Sequence, residues 1–403
     1  MTEYTSPFHR ALLLTTVFIF FAFPIMTSLA NVAMLVLLLL WLATGSWEAK
    51  RTLVQHNPGL WFALGLYAWM FVGISYTDAS AAEIGEHLRK YVKLLLMAAV
   101  VFALSDGVWR RRAWWAYGAA MASALISTYL NIWIDLPWSV SQNQGWGVDH
   151  TVLKDYISQG ILMSMFVAMG LANLIRPQTG PRQKWAWAAV VVLGVLSITH
   201  LSNGRSAYLA LAAALVGFVF WSVEGWKRWV GMLVLAIGFS GAYISSPVMQ
   251  QRIDAAVTEA KNHNLNDFSS IGQRMYFAQK SLQMIQEKPV LGWGTGAYHQ
   301  EFCRRADSAE WCRAGGVHPH NQFLFIGVEH GLIGLALLLG LIFTPLWMTR
   351  HAPAHIRGLA AAYTGIFVVI SMTHGSLWLS TESHFHTLMG ALIFAGYKPP
   401  RST

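Results

Sequence analysis

Long apolar runs separated by short polar connections extend from Ala11 to near the C-terminus of the chain. Each run has roughly 17 to 22 residues, and a helix needs about 20 residues to cross a bilayer core of about 30 Å. Because lipid offers the backbone no hydrogen-bond partner, such runs are expected to be helices. The pattern predicts twelve spans, near residues 11–27, 30–45, 58–75, 91–104, 113–133, 154–175, 185–199, 206–222, 229–245, 320–348, 358–373 and 384–397.

Composition supports this interpretation, because 55% of the 403 residues are hydrophobic and only 12% are charged. Such a chain cannot cover itself with a water-facing surface. We therefore predict an all-α polytopic membrane protein in three parts. Residues 1–245 hold spans one to nine, residues 246–319 form a large polar segment, and residues 320–403 hold the last three spans and a short tail. The first run passes a sequence typical of signal cleavage, Ser28-Leu29-Ala30, but its length favours an uncleaved span.

Basic residues concentrate in alternate connections, which predicts the orientation of the chain in the membrane. One side holds Lys50, Arg51, Arg110, Arg111, Arg112, Arg176, Arg182, Lys184, Lys227, Arg228, Arg350 and Arg357, together with Arg10, Lys398 and Arg401 near the termini. The positive-inside rule places that side and both termini in the cytoplasm, and the 246–319 segment on the opposite side. These anchors are more than half of the 28 basic residues, so the net charge of +9 does not indicate a nucleic-acid partner.

The polar 246–319 segment contains both cysteines, Cys303 and Cys312, which suits a disulfide in an oxidising compartment. Two helices are predicted in it, from Pro247 to His263 and from Ser270 to Lys288, the second with a capping box formed by Ser270 and Gln273. Arg274 then lies near a helix N-terminus, where the dipole favours anions. An anionic partner would explain this arginine, and a solvated surface position is the alternative.

A glycine-rich run follows the second helix, Leu291-Gly292-Trp293-Gly294-Thr295-Gly296. It lacks the lysine of a Walker motif, so a sharp turn is favoured over a phosphate site. The segment ends at His318-Pro319-His320-Asn321, where Pro319 limits backward extension of the next helix. His320 suits proton transfer near neutral pH. A metal site at His318 and His320 is not expected, because no carboxylate or cysteine nearby completes a ligand set.

Arg205 lies in the turn Thr199–Ser206 between two spans, where an ionisable residue near membrane depth suggests function. Snorkelling to the interface is the alternative. Arg89 and Lys93 could add charge to the same basin or anchor the chain at the interface. The sequence has no Asp-x-Asp or Asp-Asp pair to seat a divalent ion, so arginine would have to neutralise any bound diphosphate.

Several of these motifs, in this order, resemble the O-antigen ligase and O-antigen polymerase superfamily of membrane glycosyltransferases. The motifs are Ser202-Asn203-Gly204-Arg205-Ser206, Arg274 with Tyr276, Pro289–Gly296, and His318–Leu324 leading into Glu329-His330-Gly331-Leu332-Ile333-Gly334. The resemblance covers about residues 195–340. It implies a GT-C-type helical bundle in the bacterial inner membrane, acting at the periplasmic face on a glycan carried by undecaprenyl diphosphate.

Within the superfamily, the likeness is to the O-antigen ligase, whose acceptor is a sugar of the lipid A core. Protein O-oligosaccharyltransferases usually carry a long extra region after the His-Asn motif, and here two predicted spans and a short tail follow it. The resemblance implies reaction roles for Arg205, Arg274 and His320, with His318, Asn321 and Tyr276 as supporting substrate contacts. Arg89 and Lys93 are expected as further substrate contacts from their position at the outer end of the fourth span. No cofactor is expected, because undecaprenyl diphosphate is part of the donor substrate, and membrane lipids are the remaining partners. A polymerase is the first alternative, followed by an anionic-lipid transporter or flippase and a membrane scaffold. His374, Glu382, His384 and His386 match no family motif and are expected at the membrane interface rather than in an acceptor cleft.

Overall fold

The computed structural model describes residues 6–261 and 268–397, which form eighteen helices and no strand. Lys398 and Arg401, used in the orientation argument, lie outside the described residues. The predicted all-helical class is confirmed. The helices are α1 (Pro7–Ile25), α2 (Thr27–Ala43), α3 (Trp47–Gln55), α4 (Pro58–Ile74), α5 (Ala81–Tyr91), α6 (Lys93–Ala103), α7 (Gly107–Leu130), α8 (Tyr156–Ile175), α9 (Pro181–His200), α10 (Arg205–Ser222), α11 (Trp226–Ser245), α12 (Pro247–Lys261), α13 (Ser270–Glu287), α14 (Tyr298–Arg305), α15 (Ala309–Gly315), α16 (Gln322–Thr349), α17 (Ala354–Thr373) and α18 (Ser380–Phe394).

Among the described residues, six helices are long and apolar enough to cross a membrane: α1, α8, α10, α11, α16 and α17. The pair α2 and α3, bent by 112° at the break between them, raises the number to seven if it counts as one span. Each of the twelve predicted spans coincides with a helix, but α6 has only 11 residues, or about 17 Å of helix. The polytopic class therefore stands, whereas the number twelve remains a prediction.

Helices α10 and α17 pack closely because glycines face the backbone of the partner helix. A methyl group at Gly217 would lie 2.7 Å from the carbonyl oxygen of Ala361, and one at Gly365 would lie 2.7 Å from that of Ala213. Lipid tails are as apolar as the side chains of a span, so close packing of this kind replaces the hydrophobic effect as the cause of helix association.

Helix α18 runs through the interior of the bundle, because every residue from Glu382 to Phe394 is buried. His384 Nε2 lies 2.8 Å from Asn31 Oδ1, and Ser158 Oγ donates to Glu382 Oε1 at 3.1 Å. His374 and His386 are buried as well. Protein therefore surrounds these four side chains, and their position at the membrane interface stays a prediction.

The 246–319 segment contributes α12 to α15, and α13 packs against α16, where Ile285 contacts Gly327. Helix α13 begins at Ser270 as predicted, but its cap is Ser269, whose Oγ accepts a hydrogen bond from the backbone N–H of Gly272 at 3.1 Å. The predicted capping by Ser270 is wrong. Helix α12 ends at Lys261 in the described residues, and the predicted end at His263 lies outside them.

The glycine-rich run forms a turn that inserts at a kink in α16. Gly292, Gly294 and Gly296 have φ values of 73°, 94° and 82°, and Gly331 breaks α16 with φ 59° and ψ −157°. The Gly294 N–H donates to the carbonyl of Glu329 at 2.8 Å. A methyl group at Gly331 would lie 2.2 Å from the Val290 carbonyl oxygen, so only glycine permits this approach. The preference for a sharp turn is confirmed.

Candidate active site

Three histidines meet where α16 begins and α17 ends. The rings of His318 and His320 lie 4.3 Å apart, and the ring of His374 lies 6.5 Å from that of His320. His374 Nε2 is 2.9 Å from Ser206 Oγ, on the first turn of α10. Ser206 follows Arg205 in the chain, so this contact joins the arginine turn to His374. His374 in turn lies beside His320 of the His-Asn motif.

His320 is held in an unusual backbone conformation. Among the described residues it alone, apart from glycines, has a positive φ, of 51°. Asn321 caps α16 by accepting a hydrogen bond from the Leu324 N–H at 3.0 Å, and its Nδ2 donates to the Met372 carbonyl at 3.2 Å. A left-handed backbone costs of order 1–3 kcal/mol and persists only where its surroundings enforce it. Pro319, the Asn321 cap and the hydrogen bond from the His320 N–H to His318 Nδ1 at 3.1 Å hold the backbone of His320 in this conformation.

The environment of the three histidines keeps their rings neutral. Burial, followed by the nearby rings of His320 and His374, lowers the pKa of His318 to about 3. Burial and then the charge of Arg274 lower the pKa of His320, and likewise that of His374, to about 4. A neutral imidazole retains one lone pair. The Nδ1 lone pair of His318 accepts the His320 N–H at 3.1 Å, which leaves His320 as the candidate base.

Arg274 is a half-buried cation without an anionic partner. It makes no hydrogen bond or ion pair with any residue that the structure describes. Burial, and after it the charge of Arg205, lowers its pKa, while Glu259 acts in the opposite direction. Two guanidinium groups close enough to influence each other attract an anion, and their planar forks match phosphate oxygens.

Arg205 opens α10 and forms a two-pronged ion pair with Glu259 of α12. Its NH2 lies 2.9 Å from Oε1 and its NH1 lies 3.2 Å from Oε2. The turn before it is fixed by Asp149, which accepts from the Asn203 N–H at 3.1 Å, and by Arg252, whose Nε donates to the Asn203 carbonyl at 3.0 Å. The guanidinium group of Arg205, which the sequence predicts to bind a diphosphate, is therefore paired with the carboxylate of Glu259.

Three of the predicted substrate contacts, Tyr276, Arg89 and Lys93, make no hydrogen bond or ion pair with the three histidines among the described residues. Tyr276 is buried, stacks on Trp311 with ring centroids 4.0 Å apart, and accepts from the Asp307 N–H at 2.8 Å. Arg89 is exposed on α5 and Lys93 begins α6, and no hydrogen bond or ion pair between described residues joins either to the histidines. Their roles as substrate contacts stay predictions.

A disulfide stabilises the segment behind the site. Cys303 of α14 and Cys312 of α15 are bonded, with their Cα atoms 4.6 Å apart. Trp311, beside Cys312, also stacks on Phe268 at 4.1 Å. Together with the Tyr276 contacts, these interactions hold α13, from which Arg274 projects, against α14 and α15.

Sequence patterns alone missed three members of the site: Glu259, Ser206 and His374. His374 could have been found from topology, because it ends the span that follows the one opened by His320, and both therefore lie at the same end of the bundle. Glu259 gave no local signal. A cavity of about 560 Å³ lined by Arg110 and Ile356 lies near the opposite end of α17, so it is not part of this site.

The fold and the site together define a polytopic helical membrane protein with arginines and neutral histidines gathered at one end of its bundle. Residues 197–339 match the family model described as O-antigen ligase. The matched region contains Arg205, Arg274 and His320. The resemblance inferred from the motifs is thereby confirmed.

The chain is similar to several proteins at low identity. A Rickettsia conorii protein provisionally named a polysaccharide ligase is 22% identical over 249 residues, which cover 56% of this chain and 58% of the relative. A Rickettsia prowazekii protein with the same provisional name is 26% identical over 247 residues, covering 56% and 59%. An uncharacterised Haemophilus influenzae protein is 26% identical over 192 residues, covering 45% and 42%. The chain thus spans about half the length of the curated relatives it matches.

Proposed function

We propose that the protein is an O-antigen ligase, which transfers a glycan from undecaprenyl diphosphate to a sugar of the lipid A core. In this proposal it is a GT-C-type bundle of twelve spans in the bacterial inner membrane. Both termini are cytoplasmic, and the histidine cluster faces the periplasm. The family match over residues 197–339 and the basic residues in alternate connections support this assignment.

The proposed reaction is a single displacement at the anomeric carbon of the glycan. The acceptor hydroxyl oxygen forms the new bond to that carbon, and the bond from the carbon to the diphosphate oxygen breaks. The bonding electrons leave with undecaprenyl diphosphate, and His320 takes the hydroxyl proton. One displacement inverts the configuration of the sugar, and the step needs neither a covalent enzyme intermediate nor a cofactor.

Arg205 and Arg274 would bind the diphosphate and stabilise the negative charge that grows on it as the bond breaks. Glu259 would leave Arg205 when the donor binds. The anion would also offset the charge of Arg274, which is one cause of the low pKa of His320. Donor binding should therefore raise the pKa of His320 and make it a stronger base when both substrates are present. His318 and Asn321 would position the His320 ring.

One observation carries this proposal: a neutral, conformationally fixed His320 lies under the influence of an unpaired Arg274. A base and an anion-binding cation side by side are the two groups that a displacement from a diphosphate requires. A transporter that is not coupled to protons would need only the cations.

The test is reconstitution of the purified protein in liposomes with an undecaprenyl-diphosphate-linked glycan, with and without lipid A core. Glycan transfer that occurs only with lipid A core is the expected result. Glycan growth without that acceptor would indicate a polymerase, and donor crossing the bilayer without any covalent product would indicate a transporter. Activity lost in EDTA and restored by Mg²⁺ or Mn²⁺ would contradict a diphosphate neutralised by arginine alone.

A further inference from the structure

A second cluster of titratable side chains lies buried behind the glycine-rich turn, outside the site described above. His87 comes from α5, and Glu329 and His330 come from α16 just before its kink. His87 Nδ1 lies 2.9 Å from Glu329 Oε2, and His330 Nε2 lies 3.7 Å from the same oxygen. One possible ligand atom from each residue falls within 4.8 Å of the others. The three side chains are 1%, 1% and 0% exposed.

The hydrogen bonding of this cluster is incomplete. Glu329 Oε2, His87 Nε2 and both ring nitrogens of His330 have no hydrogen-bond partner among the described residues. The close contact between His87 and Glu329 has the length of an ion pair without the alignment of a hydrogen bond. Leaving a buried polar atom unpaired costs about 1–3 kcal/mol. Glu329 Oε2 and His330 Nε2 are two such atoms 3.7 Å apart, with His87 Nδ1 2.9 Å from the same oxygen, and these three atoms call for a common partner.

Incomplete hydrogen bonding alone does not define a site, and His386 shows the difference. It is also buried with both ring nitrogens unpartnered. Its ring, however, stacks on Phe367 with centroids 3.9 Å apart, and no carboxylate in the described part of the chain forms an ion pair with it. At His87 and His330 two imidazoles instead converge on a carboxylate oxygen.

We propose that His87, Glu329 and His330 bind a transition-metal ion, with Zn²⁺ the best match. Two imidazoles and one carboxylate are a zinc ligand set, whereas Mg²⁺ and Ca²⁺ prefer oxygen ligands throughout. The contacts of 2.9 and 3.7 Å bracket the separation of about 3.3 Å between ligand atoms placed tetrahedrally about 2.0 Å from zinc. Three protein ligands leave the fourth position to a water molecule or another small ligand.

The ion would join α5 to the kink of α16 and to the turn that inserts there. Glu329 Oε1 accepts the Tyr298 N–H at 3.2 Å, and the His330 carbonyl accepts from Trp69 Nε1 at 3.3 Å. The first contact orients the Glu329 carboxylate from outside, as in other metal sites, and the second holds the backbone of α16 next to its kink. The role is structural, and it stands apart from the proposed transfer reaction and from its lack of a metal requirement.

The test is the metal content of the full-length protein, purified without a polyhistidine tag and without chelators, by inductively coupled plasma mass spectrometry. We expect about one zinc per chain after incubation with Zn²⁺ and desalting, and about a tenfold loss in the variant His87→Gln with His330→Gln. The matched control His386→Gln should retain the metal. Zinc below about 0.1 per chain in the unsubstituted protein, or equal zinc in the double variant, would overturn the proposal.

A second measurement needs no substitution and so does not depend on how the variants fold. X-ray absorption at the zinc edge of the unsubstituted protein should show nitrogen and oxygen neighbours at about 2.0–2.1 Å, with the outer scattering of two imidazoles. A shell of oxygen alone, or one containing sulfur, would rule out these ligands. Neither measurement uses glycan transfer, so failure here leaves the proposed function to its own test.

Discussion

Glu259 pairs with Arg205, the residue that we expect to bind the donor diphosphate. Replacing Glu259 therefore tests whether its carboxylate competes with the donor for Arg205. The change Glu259→Gln keeps the size of the side chain and removes its charge. The burial and the close neighbours of Arg205 are retained. If the carboxylate competes with the donor, removing its charge should tighten donor binding and leave the chemical step unchanged.

The size of the effect follows from the geometry of the pair. The two contacts are 2.9 and 3.2 Å long, and the side chains of Arg205 and Glu259 are 24% and 26% exposed. Exposed ion pairs contribute about 0–1 kcal/mol, and a two-pronged arginine pair lies near the upper end, so we take about 1 kcal/mol. Since 1.4 kcal/mol is a factor of about ten, the donor KM should fall about fivefold.

The assay is the initial rate of transfer in liposomes over a range of donor concentrations, with acceptor held in excess. The kcat should stay within about twofold of the unsubstituted protein, because Glu259 takes no part in the bond changes. Glu224→Gln is the matched control, since Glu224 forms an ion pair with Arg357, far from the histidines in the fold, at 2.6 Å. An unchanged or higher donor KM for Glu259→Gln would refute the idea that donor and Glu259 share Arg205.

Three further predictions concern the site and its support. Because the pKa of His320 is lowered to about 4, the ring is protonated only as the pH falls through that value. The kcat/KM should therefore be flat from pH 7 to about 5 and decline below, and a decline centred near 6.5 would contradict a low pKa. Arg274→Gln should reduce kcat/KM by about 10²–10³ and move this decline towards neutral pH, and an unchanged profile would separate Arg274 from His320. Cys303→Ser should destabilise the 246–319 segment by about 2 kcal/mol, seen as faster proteolysis within it, and equal proteolysis would deny the disulfide that role.

The positions of the helices could be predicted from the sequence because apolar runs are a local signal. Whether a run faces lipid or protein could not. Helix α18 is buried from Glu382 to Phe394, and its polar residues Glu382, His384 and His386 are enclosed by other helices. In contrast, α11 has no buried residue. Lipid and protein interiors are equally apolar, so composition does not distinguish them.

The His-Asn motif could be predicted because proline restricts the local backbone, and the structure adds the positive φ of His320. The residues that surround this motif could not be predicted, because long-range packing brings them together. His374 approaches from the end of α17, and Glu259 approaches Arg205 from a helix 54 residues further along the chain. Similarly, Ser269 rather than Ser270 caps α13, since both are serines and only the path of the chain selects between them.

The central claim is that Arg205, Arg274 and His320 form one site at which a glycan leaves its lipid diphosphate. The most direct measurement is transfer to lipid A core in liposomes by Arg205→Ala and His320→Ala, each compared with Glu224→Gln. All three variants should purify as folded protein with the thermal stability of the unsubstituted chain. We predict that the control transfers glycan normally and that Arg205→Ala and His320→Ala do not. Transfer at the unsubstituted rate by either variant would remove that residue from the mechanism and contradict the account.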